Sequence, residues 1–448
     1  MHLVPKQFSP AQVLALSLAA LIAVGTLLLW MPAAGARGGL TLVNAFFTAT
    51  SAVCVTGLIV VDTPNDLSLF GQLVLLGLVQ VGGLGYMAIT TIVAVAVGRQ
   101  LSVQERATVQ EALNISTVDG VLRFAVKVLR FTLFFELAGA VLLAARWAPD
   151  MGLARAVYHG VFHSVSAFFG AGFALHSDSM LRYRTDPVVN AVLGTLIVAG
   201  GLGFVVLAEL LRRTRTQRIS VHTRLVLLMT AVLVPSAAIM IFLLERGNPA
   251  TLGPLGTLDA AMASLFQAVT PRSAGFLTVD LSGMLPPTLF LIMILMFIGG
   301  APGGATGGVK VTTFAITVAA LWATMRGAEE PVIFKRRIPT ELVARAFFIC
   351  LIAFLSVNVV AAILLVTERR DLLPTLFEVV SAFGTVGLST TEGGSPISLT
   401  GHFTTTGKLL IALLIFIGRI GPLTLAVALA QRRTKPRIRH AEGKILIG

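Results

Sequence analysis

The sequence predicts an all-α integral membrane protein. Eight transmembrane helices and four re-entrant helices are expected to form four helix–loop–helix repeats with fourfold pseudo-symmetry. Three observations predict this class: few charges, long uncharged runs, and a short motif that recurs between the runs. Only 12 % of the 448 residues are charged, whereas a soluble domain has about 25 %. A soluble fold of this length needs a charged exterior that this composition does not supply, so water-soluble globular classes are excluded.

Eight uncharged stretches are long enough to cross a bilayer, which takes about 20 apolar residues. Small residues follow the first stretch at positions 33–36, so a signal peptide is an alternative there. Its apolar length exceeds the roughly 7–15 residues of a signal core, which favours a retained helix. The predicted spans are Ala11–Met31, Leu67–Gly98, Phe124–Ala145, Pro187–Ala208, Leu225–Leu244, Pro287–Met325, Ala346–Val366 and Leu409–Ala430.

The charge distribution predicts the orientation. The chain has 34 Lys and Arg against 21 Asp and Glu, a net charge of +13. Such a surplus also occurs in nucleic-acid-binding proteins, but together with the apolar spans it favours basic cytoplasmic loops and no nucleic-acid partner. Basic residues cluster between the pairs of spans and in the tail, whereas the connections within pairs carry acids such as Asp62, Asp178 and Asp280. The positive-inside rule then predicts a multi-pass protein of the cell (inner) membrane with both termini cytoplasmic and every re-entrant segment entering from outside.

A short motif recurs within each pair of spans: Phe, then Ser or Thr four residues later, then Gly. The copies begin at Phe47, Phe162, Phe266 and Phe377, and the third is one residue shorter than the others. Their glycines, at positions 57, 172, 275 and 387, are separated by 115, 103 and 112 residues. The sequence therefore predicts repeats at residues 1–99, 121–213, 221–326 and 341–433, followed by a cytoplasmic tail at 434–448.

The recurring segments have the features of a cation filter. A helix that enters from outside directs the negative end of its dipole at the membrane centre, and the backbone carbonyls after it can replace the water around an ion. Glycine permits the positive φ that such a backbone needs, and the neighbours are small and uncharged, unlike the acid ring of a calcium filter. Close helix packing is the alternative role for one glycine, but recurrence in four repeats favours the filter. The predicted filter residues are Val55, Thr56, Gly57, Gly170, Ala171, Gly172, Ser273, Ala274, Gly275, Thr385, Val386 and Gly387.

A second glycine-rich pattern lies in the span after each filter segment. The first two copies, Gly82–Gly85 and Gly200–Gly203, suit close helix packing; phosphate-binding loops are disfavoured because no βαβ pattern surrounds them. The third copy is too rich in glycine for a stable helix, since each Gly costs about 1 kcal/mol relative to Ala. We expect a mobile gate there, formed by Gly300, Gly303, Gly304, Ala305, Thr306, Gly307 and Gly308 together with the cations Lys310 and Arg419.

The two cations are functional candidates because an intramembrane charge is costly. Arg419 lies between Gly418 and Gly421 in the last span, where we expect a pore-side electrostatic barrier rather than a structural pairing. Lys310 either shares that role or instead snorkels or satisfies carbonyls of the broken helix. Glu136 is the clear acid within a span, and a protein-facing partner is favoured for it over a proton relay.

The filter segments resemble those of the TrkH/KtrB/HKT superfamily of potassium- and sodium-translocating subunits. The likeness lies in Ser51–Leu58, Gln267–Phe276 and Ser381–Thr390 and extends over essentially the whole chain. The length favours the KtrB branch. The resemblance implies a homodimer with one pore per protomer, in contact with membrane lipids and opened by a cytoplasmic nucleotide-binding ring like KtrA or TrkA. It also implies an intramembrane gating loop and an Arg at position 419.

The resemblance further implies that potassium is the transported ion, since glycine in all four filters accompanies potassium selectivity and serine in the first accompanies sodium. Gly170 departs from the residue often found there, Asn, which leaves the fine selectivity open. A sodium-coupled or sodium-permeable secondary transporter is therefore the alternative. An enzyme is not expected, because convergent acids and histidines in the spans are lacking.

Overall fold

The computed structural model describes residues 10–96, 121–212, 219–328, 330–391 and 395–421. These parts of the chain are mostly helical. The helices are α1 Pro10–Trp30, α2 Leu42–Val53, α3 Thr63–Asp66, α4 Leu69–Ala96, α5 Val121–Met151, α6 Leu153–Phe169, α7 Pro187–Gly201, α8 Phe204–Arg212, α9 Val221–Glu245, α10 Thr257–Val269, α11 Pro286–Phe297, α12 Val311–Met325, α13 Thr340–Glu368, α14 Leu372–Gly384 and α15 Thr405–Ile420. One antiparallel ribbon pairs β1 (Val332–Ile333) with β2 (Arg336–Arg337).

Helix starts follow local capping chemistry. Asp186 accepts hydrogen bonds from the backbone N–H groups of Val188 and Val189 at 3.0 and 3.1 Å and precedes a proline at the first position of α7. Ser220 caps α9 in the same way by accepting from Thr223 N at 3.2 Å. These contacts satisfy N–H groups that a helix end leaves without an intrahelical acceptor.

Three helices of the described residues are long and apolar enough to cross a membrane: Val126–Met151, Val221–Glu245 and Thr340–Glu368. A fourth span results if Pro187–Gly201 and Phe204–Leu210, which are bent by 102° relative to each other, count as one. The chain is therefore a multi-pass membrane protein.

Several predicted spans are not continuous helices. Pro187–Ala208 bends at Gly203, and Leu67–Gly98 bends at Gly85, because these glycines have φ of 84° and 70°. Pro287–Met325 is interrupted between α11 and α12, as the glycine density there predicts. Hydrophobic length therefore locates these segments in the sequence, and positive-φ glycines decide where they bend.

Four short helices, α2, α6, α10 and α14, hold the recurring motif. Each packs against the long helix that precedes it in the chain, namely α1, α5, α9 or α13. The four motif phenylalanines are at most 3 % exposed and belong to one hydrophobic core. The motif phenylalanine is thus the core anchor of each short helix. Residues 97–120, 213–218 and 422–448, which include parts of the first two predicted basic loops and the tail, lie outside the described residues.

Candidate cation filter and gate

The backbone turns in the same way after each short helix. Two residues separated by one position have positive φ, and the second of them is the motif glycine. The first position carries Val55, Gly170, Ser273 or Thr385. The sequence analysis assigned these residues to the filter but did not predict a positive φ for them, because only one of the four is a glycine. The φ values of the pairs are 53° and 86° for Val55 and Gly57, 71° and 68° for Gly170 and Gly172, 66° and 71° for Ser273 and Gly275, and 48° and 88° for Thr385 and Gly387.

The four motif glycines form a closed ring. A methyl group on Gly57 would lie 3.0 Å from the Cα of Gly172, and one on Gly172 would lie 3.0 Å from the Cα of Gly275. A methyl group on Gly275 would lie 3.4 Å from the Cα of Gly387, and one on Gly387 would lie 2.9 Å from the Cα of Gly57. Each glycine thus adjoins the next repeat in chain order, and a side chain at these positions would collide with a neighbouring backbone.

Hydroxyl groups fix the segment beyond the ring in three of the repeats. Ser51, Ser166 and Thr270 each donate to the carbonyl of the residue after the glycine, at 2.8 Å in every case. Thr270 does so across one residue fewer, which compensates for the shorter third motif. The fourth repeat differs, because Ser381 Oγ has no hydrogen-bond partner within the described chain.

A buried carboxylate stabilises the fourth segment instead. Glu378 accepts hydrogen bonds from Ser389 Oγ at 2.6 Å, Thr400 N at 2.9 Å and Thr400 Oγ1 at 2.5 Å. This arrangement joins α14 to residues beyond the filter segment.

A cavity of about 310 Å³ opens above the ring. All four glycines line it, together with Asp62, Asp178, Asp280 and His176. Asp178 forms an ion pair with Arg182 at 2.8 Å, whereas Asp62 accepts from Ser177 Oγ at 2.6 Å. Burial, with the nearby charge of Arg182, lowers the pKa of His176 to about 4, so the His176 imidazole is neutral at pH 7. Three carboxylates and a neutral His176 make the cavity attractive to cations.

The glycine patterns below the ring combine packing with bending. A methyl group on Gly82, Gly200 or Gly418 would overlap the carbonyl oxygen of Val53, Phe168 or Phe383, respectively, each near the end of a short helix. These contacts agree with the close-packing interpretation of Gly82 and Gly200 and extend it to Gly418. Three positions later Gly85, Gly203 and Gly421 have φ of 70°, 84° and 88°, and Gly303 in the third repeat has φ of 74°.

The predicted gate is an irregular loop between α11 and α12. It folds on itself through hydrogen bonds from Gly299 N to Val309 O at 2.8 Å and from Val311 N to Gly300 O at 3.0 Å. It also joins the bend between α7 and α8, since Ala301 N donates to Gly201 O at 3.0 Å and Phe204 N donates to Gly303 O at 3.2 Å. The structure thus contains the predicted interruption of the helix and places it against the second repeat.

Arg419 connects this loop with α4. Its Nη1 donates to the carbonyl of Ala305 and its Nη2 donates to the carbonyl of Gly82 at 2.8 Å. Lys310 Nζ donates to the carbonyl of Thr306 within the loop. Both cations therefore donate to backbone oxygens. This agrees with the structural option for Lys310; for Arg419 it is a structural contact, and the expected pore-side barrier stays a prediction.

Glu136 has the protein-facing partner that was favoured for it. Gln80 Nε2 donates to Glu136 Oε2 at 3.2 Å, and Ser164 Oγ donates to the backbone carbonyl of Glu136 at 2.7 Å.

In the described segments no group of three or more His, Cys, Asp or Glu residues has the arrangement to hold a metal ion.

The chain is similar to characterised transport proteins over nearly its full length. It is 39 % identical over 442 residues to the Ktr system potassium uptake protein B of Bacillus subtilis, covering 99 % of this chain and 97 % of that protein. It is 38 % identical to the protein of the same name from Vibrio alginolyticus, covering 92 % and 89 %. It is also 35 % identical to the potassium/sodium uptake protein NtpJ of Enterococcus hirae, covering 99 % and 98 %.

The fold matches that of a solved relative. The crystal structure of the potassium transporter TrkH from Vibrio parahaemolyticus superposes with a TM-score of 0.76 at 19 % identity, covering 96 % of this chain and 87 % of that one. Residues 8–439 match the family described as TrkH, cation transport protein. The resemblance seen in the motifs and the expectation of a transport protein rather than an enzyme are thereby confirmed. This chain belongs to the TrkH family of cation transport proteins.

Proposed function

We propose that this protein takes up potassium across the cell membrane through a central pore whose filter consists of backbone carbonyls from four repeats. The observation that carries the proposal is the closed ring of Gly57, Gly172, Gly275 and Gly387 at the base of an acidic cavity. The names of the similar proteins from Bacillus subtilis and Vibrio alginolyticus, both potassium uptake proteins, support the choice of ion.

The proposed chemistry follows from the backbone. The C-terminal end of a helix carries a partial negative charge, and four such ends precede the ring. In each repeat the two positive-φ residues flank one residue of ordinary φ, so successive carbonyls are available to an ion in place of its water. The carboxylates of the cavity concentrate cations at the entrance.

The proposed arrangement in the membrane has eight transmembrane helices and four re-entrant pore helices, α2, α6, α10 and α14. Both termini are cytoplasmic in the inner (plasma) membrane, and lipids surround the spans. The loop between α11 and α12 is the gate, and a cytoplasmic nucleotide-binding ring like KtrA or TrkA controls it in a homodimer of this chain. The word "system" in the relatives' names supports a partner subunit.

A sodium-permeable or sodium-coupled transporter is the second candidate. It is supported by the 35 % identity to NtpJ, whose name includes both potassium and sodium. Both candidates use the same ring, so they differ in how strongly it discriminates between two monovalent cations.

Uptake in a cell without its own potassium transport separates the two. The unaltered chain should restore uptake of potassium and discriminate against sodium. Gly57→Ser should lose that discrimination by about tenfold or more, because a side chain there displaces the neighbouring backbone of the second repeat, and 1.4 kcal/mol of differential binding is tenfold. Equal uptake of both ions by the unaltered chain would reject potassium selectivity in favour of the second candidate.

Gly152→Ser is the matched control for this experiment. Gly152 has φ of 81°, close to the 86° of Gly57, but a β-carbon on it would have no atom within 4 Å. Both variants place a side chain at a positive φ that L residues rarely adopt, which costs about 1–3 kcal/mol, and only Gly57→Ser crowds the ring. A similar change in discrimination for both would attribute the effect to strain and count against the filter.

A further inference from the structure

The side chain of Ser273 lies between the gate loop and the fourth filter segment. Its Oγ is 2.8 Å from the carbonyl oxygen of Gly384 and 3.0 Å from that of Thr385. On its other side the backbone N–H of Gly307 donates to the same Oγ at 3.4 Å. One buried hydroxyl of the third repeat thus contacts both the loop and the fourth repeat.

The loop packs tightly at this place. A methyl group on Gly307 would overlap Thr385 Oγ1, and one on Gly308 would lie 3.3 Å from the Cα of Gly384. Because the loop backbone packs against the Thr385 side chain and the Cα of Gly384, the loop cannot leave its position without changing the surroundings of Ser273 and Thr385.

A hydroxyl group donates one hydrogen bond and accepts up to two. With the loop in place, Ser273 accepts from Gly307 and its single proton is directed at the carbonyls of Gly384 and Thr385. A carbonyl that accepts this proton is a weaker ligand for a cation. When the loop moves, Ser273 loses its donor and the hydroxyl is free to rotate towards another acceptor.

We propose that Ser273 is a positioning residue that couples the gate loop to the filter: the loop position determines whether the carbonyl of Thr385 is held by the Ser273 hydroxyl or is available to the ion. The coupling rests on the proposed function of the ring and the loop. It adds that gate and filter are not independent, so that ion discrimination depends on the gate.

Within the described residues, the first two repeats lack this device. The residues at the same register in the first two repeats are Val55 and Gly170, which carry no hydroxyl. At this register the fourth repeat has Thr385, the residue whose carbonyl accepts the hydrogen bond from Ser273. The contact therefore lies between repeats three and four, next to the loop between α11 and α12.

A double-mutant cycle tests the coupling in the full-length chain. Ser273→Ala is combined with a shortened loop that lacks Gly303 and Gly304, which draws Gly307 away from the filter. The readout is the ratio of potassium to sodium uptake. Ser273→Ala should change the ratio about threefold to tenfold with the intact loop, the range expected for one neutral hydrogen bond, and less than twofold with the short loop.

Ser51→Ala is the matched control, since Ser51 Oγ fixes the first filter segment through Leu58 O at 2.8 Å and Gly57 N at 3.1 Å and has no contact with the loop. It should change the ratio by the same factor in both backgrounds. The coupling is overturned if Ser273→Ala behaves in this way, or if it changes nothing in either background. Absence of potassium uptake by the unaltered chain would instead overturn the proposed function, and the coupling with it.

A second pair of variants covers the case in which Ser273→Ala does not accumulate in the membrane. Ser273→Thr keeps the hydroxyl, whereas Ser273→Val gives a side chain of the same shape as threonine without the hydroxyl. Both side chains suit the backbone, because Val55 and Thr385 occupy the same register with φ of 53° and 48°. Only Ser273→Val should alter the ratio with the intact loop; equal effects of the two variants would overturn the coupling.

Discussion

Replacing Arg419 separates two ways in which an intramembrane cation can control flux. As a latch, Arg419 holds the loop by donating to Ala305 O while its other nitrogen holds Gly82 O. As a barrier, it repels the passing ion by charge alone. Arg419→Gln removes both effects, whereas Arg419→Lys keeps the charge but replaces the two-pronged guanidinium by a point charge that cannot bridge two carbonyls in the same way.

The magnitude follows from the contacts. A hydrogen bond from a charged donor contributes about 1.5–3 kcal/mol, and the bond to Ala305 joins the loop to α15. Since 1.4 kcal/mol is a factor of ten in an equilibrium constant, its loss should shift the loop roughly 10- to 150-fold towards release. Arg419 forms no hydrogen bond with the glycine ring, so any change in the discrimination between potassium and sodium should arise only through the loop and Ser273.

The assay is the initial rate of potassium uptake into vesicles that contain the purified chain without a cytoplasmic partner. Arg419→Gln should raise this rate at least tenfold. A latch predicts an intermediate rate for Arg419→Lys, whereas a barrier predicts the unaltered rate. Lys310→Gln is the control, since Lys310 binds Thr306 O within the same loop and joins it to no other helix. An unchanged rate in Arg419→Gln, at equal protein in the membrane, would refute both roles.

Four further outcomes are expected. Deletion of Gly303 and Gly304 should raise potassium uptake without the partner; unchanged or lost uptake in a folded deletion would reject the loop as gate. Glu245→Ala should lower the free energy of unfolding by about 3 kcal/mol or more, because Thr251 Oγ1, Asn248 Nδ2 and Leu285 N lose their acceptor and each costs roughly 1–3 kcal/mol; exposed Glu341→Ala should change little in the same thermal unfolding. Ser381→Ala should be nearly neutral in stability, since Ser381 Oγ has no partner in the described chain, whereas Ser166→Ala should destabilise it. Because burial lowers the pKa of His176 to about 4 and the unfolded chain titrates near 6.5, protons bind the unfolded state first; stability should fall as pH drops from 6.5 to 4, and His176→Gln should reduce that fall.

The sequence predicted the parts of the site that depend on residue type. Residue type predicted three features: the positions of the motif glycines, the interruption between α11 and α12, and the burial of the motif phenylalanines. Positive φ at Gly57 and its three counterparts is one such case, since a side chain there would overlap the next repeat. The ring could be expected because four copies of one constraint are hard to explain by packing alone.

What the sequence could not predict depends on contacts between distant residues. Val55 and Thr385 are β-branched, which disfavours positive φ, yet both have it. The neighbouring repeats impose that conformation, so the residue types at these two positions do not predict it. The 102° bend between α7 and α8 was likewise hidden in an apolar run, because hydrophobic length is the same for a straight helix and a bent one.

The differences among the repeats point to where control resides. In the first three repeats a hydroxyl joins the short helix to the residue after the glycine. In the fourth, Ser381 makes no such bond, and the base of the segment is held by Ser273 of the third repeat instead. A fully symmetric filter would respond equally on all sides to the loop. Here the fourth segment lacks the hydroxyl bond to the residue after the glycine, and its base accepts a hydrogen bond from Ser273, which also contacts Gly307. A movement of the loop should therefore affect the carbonyl of Thr385 first.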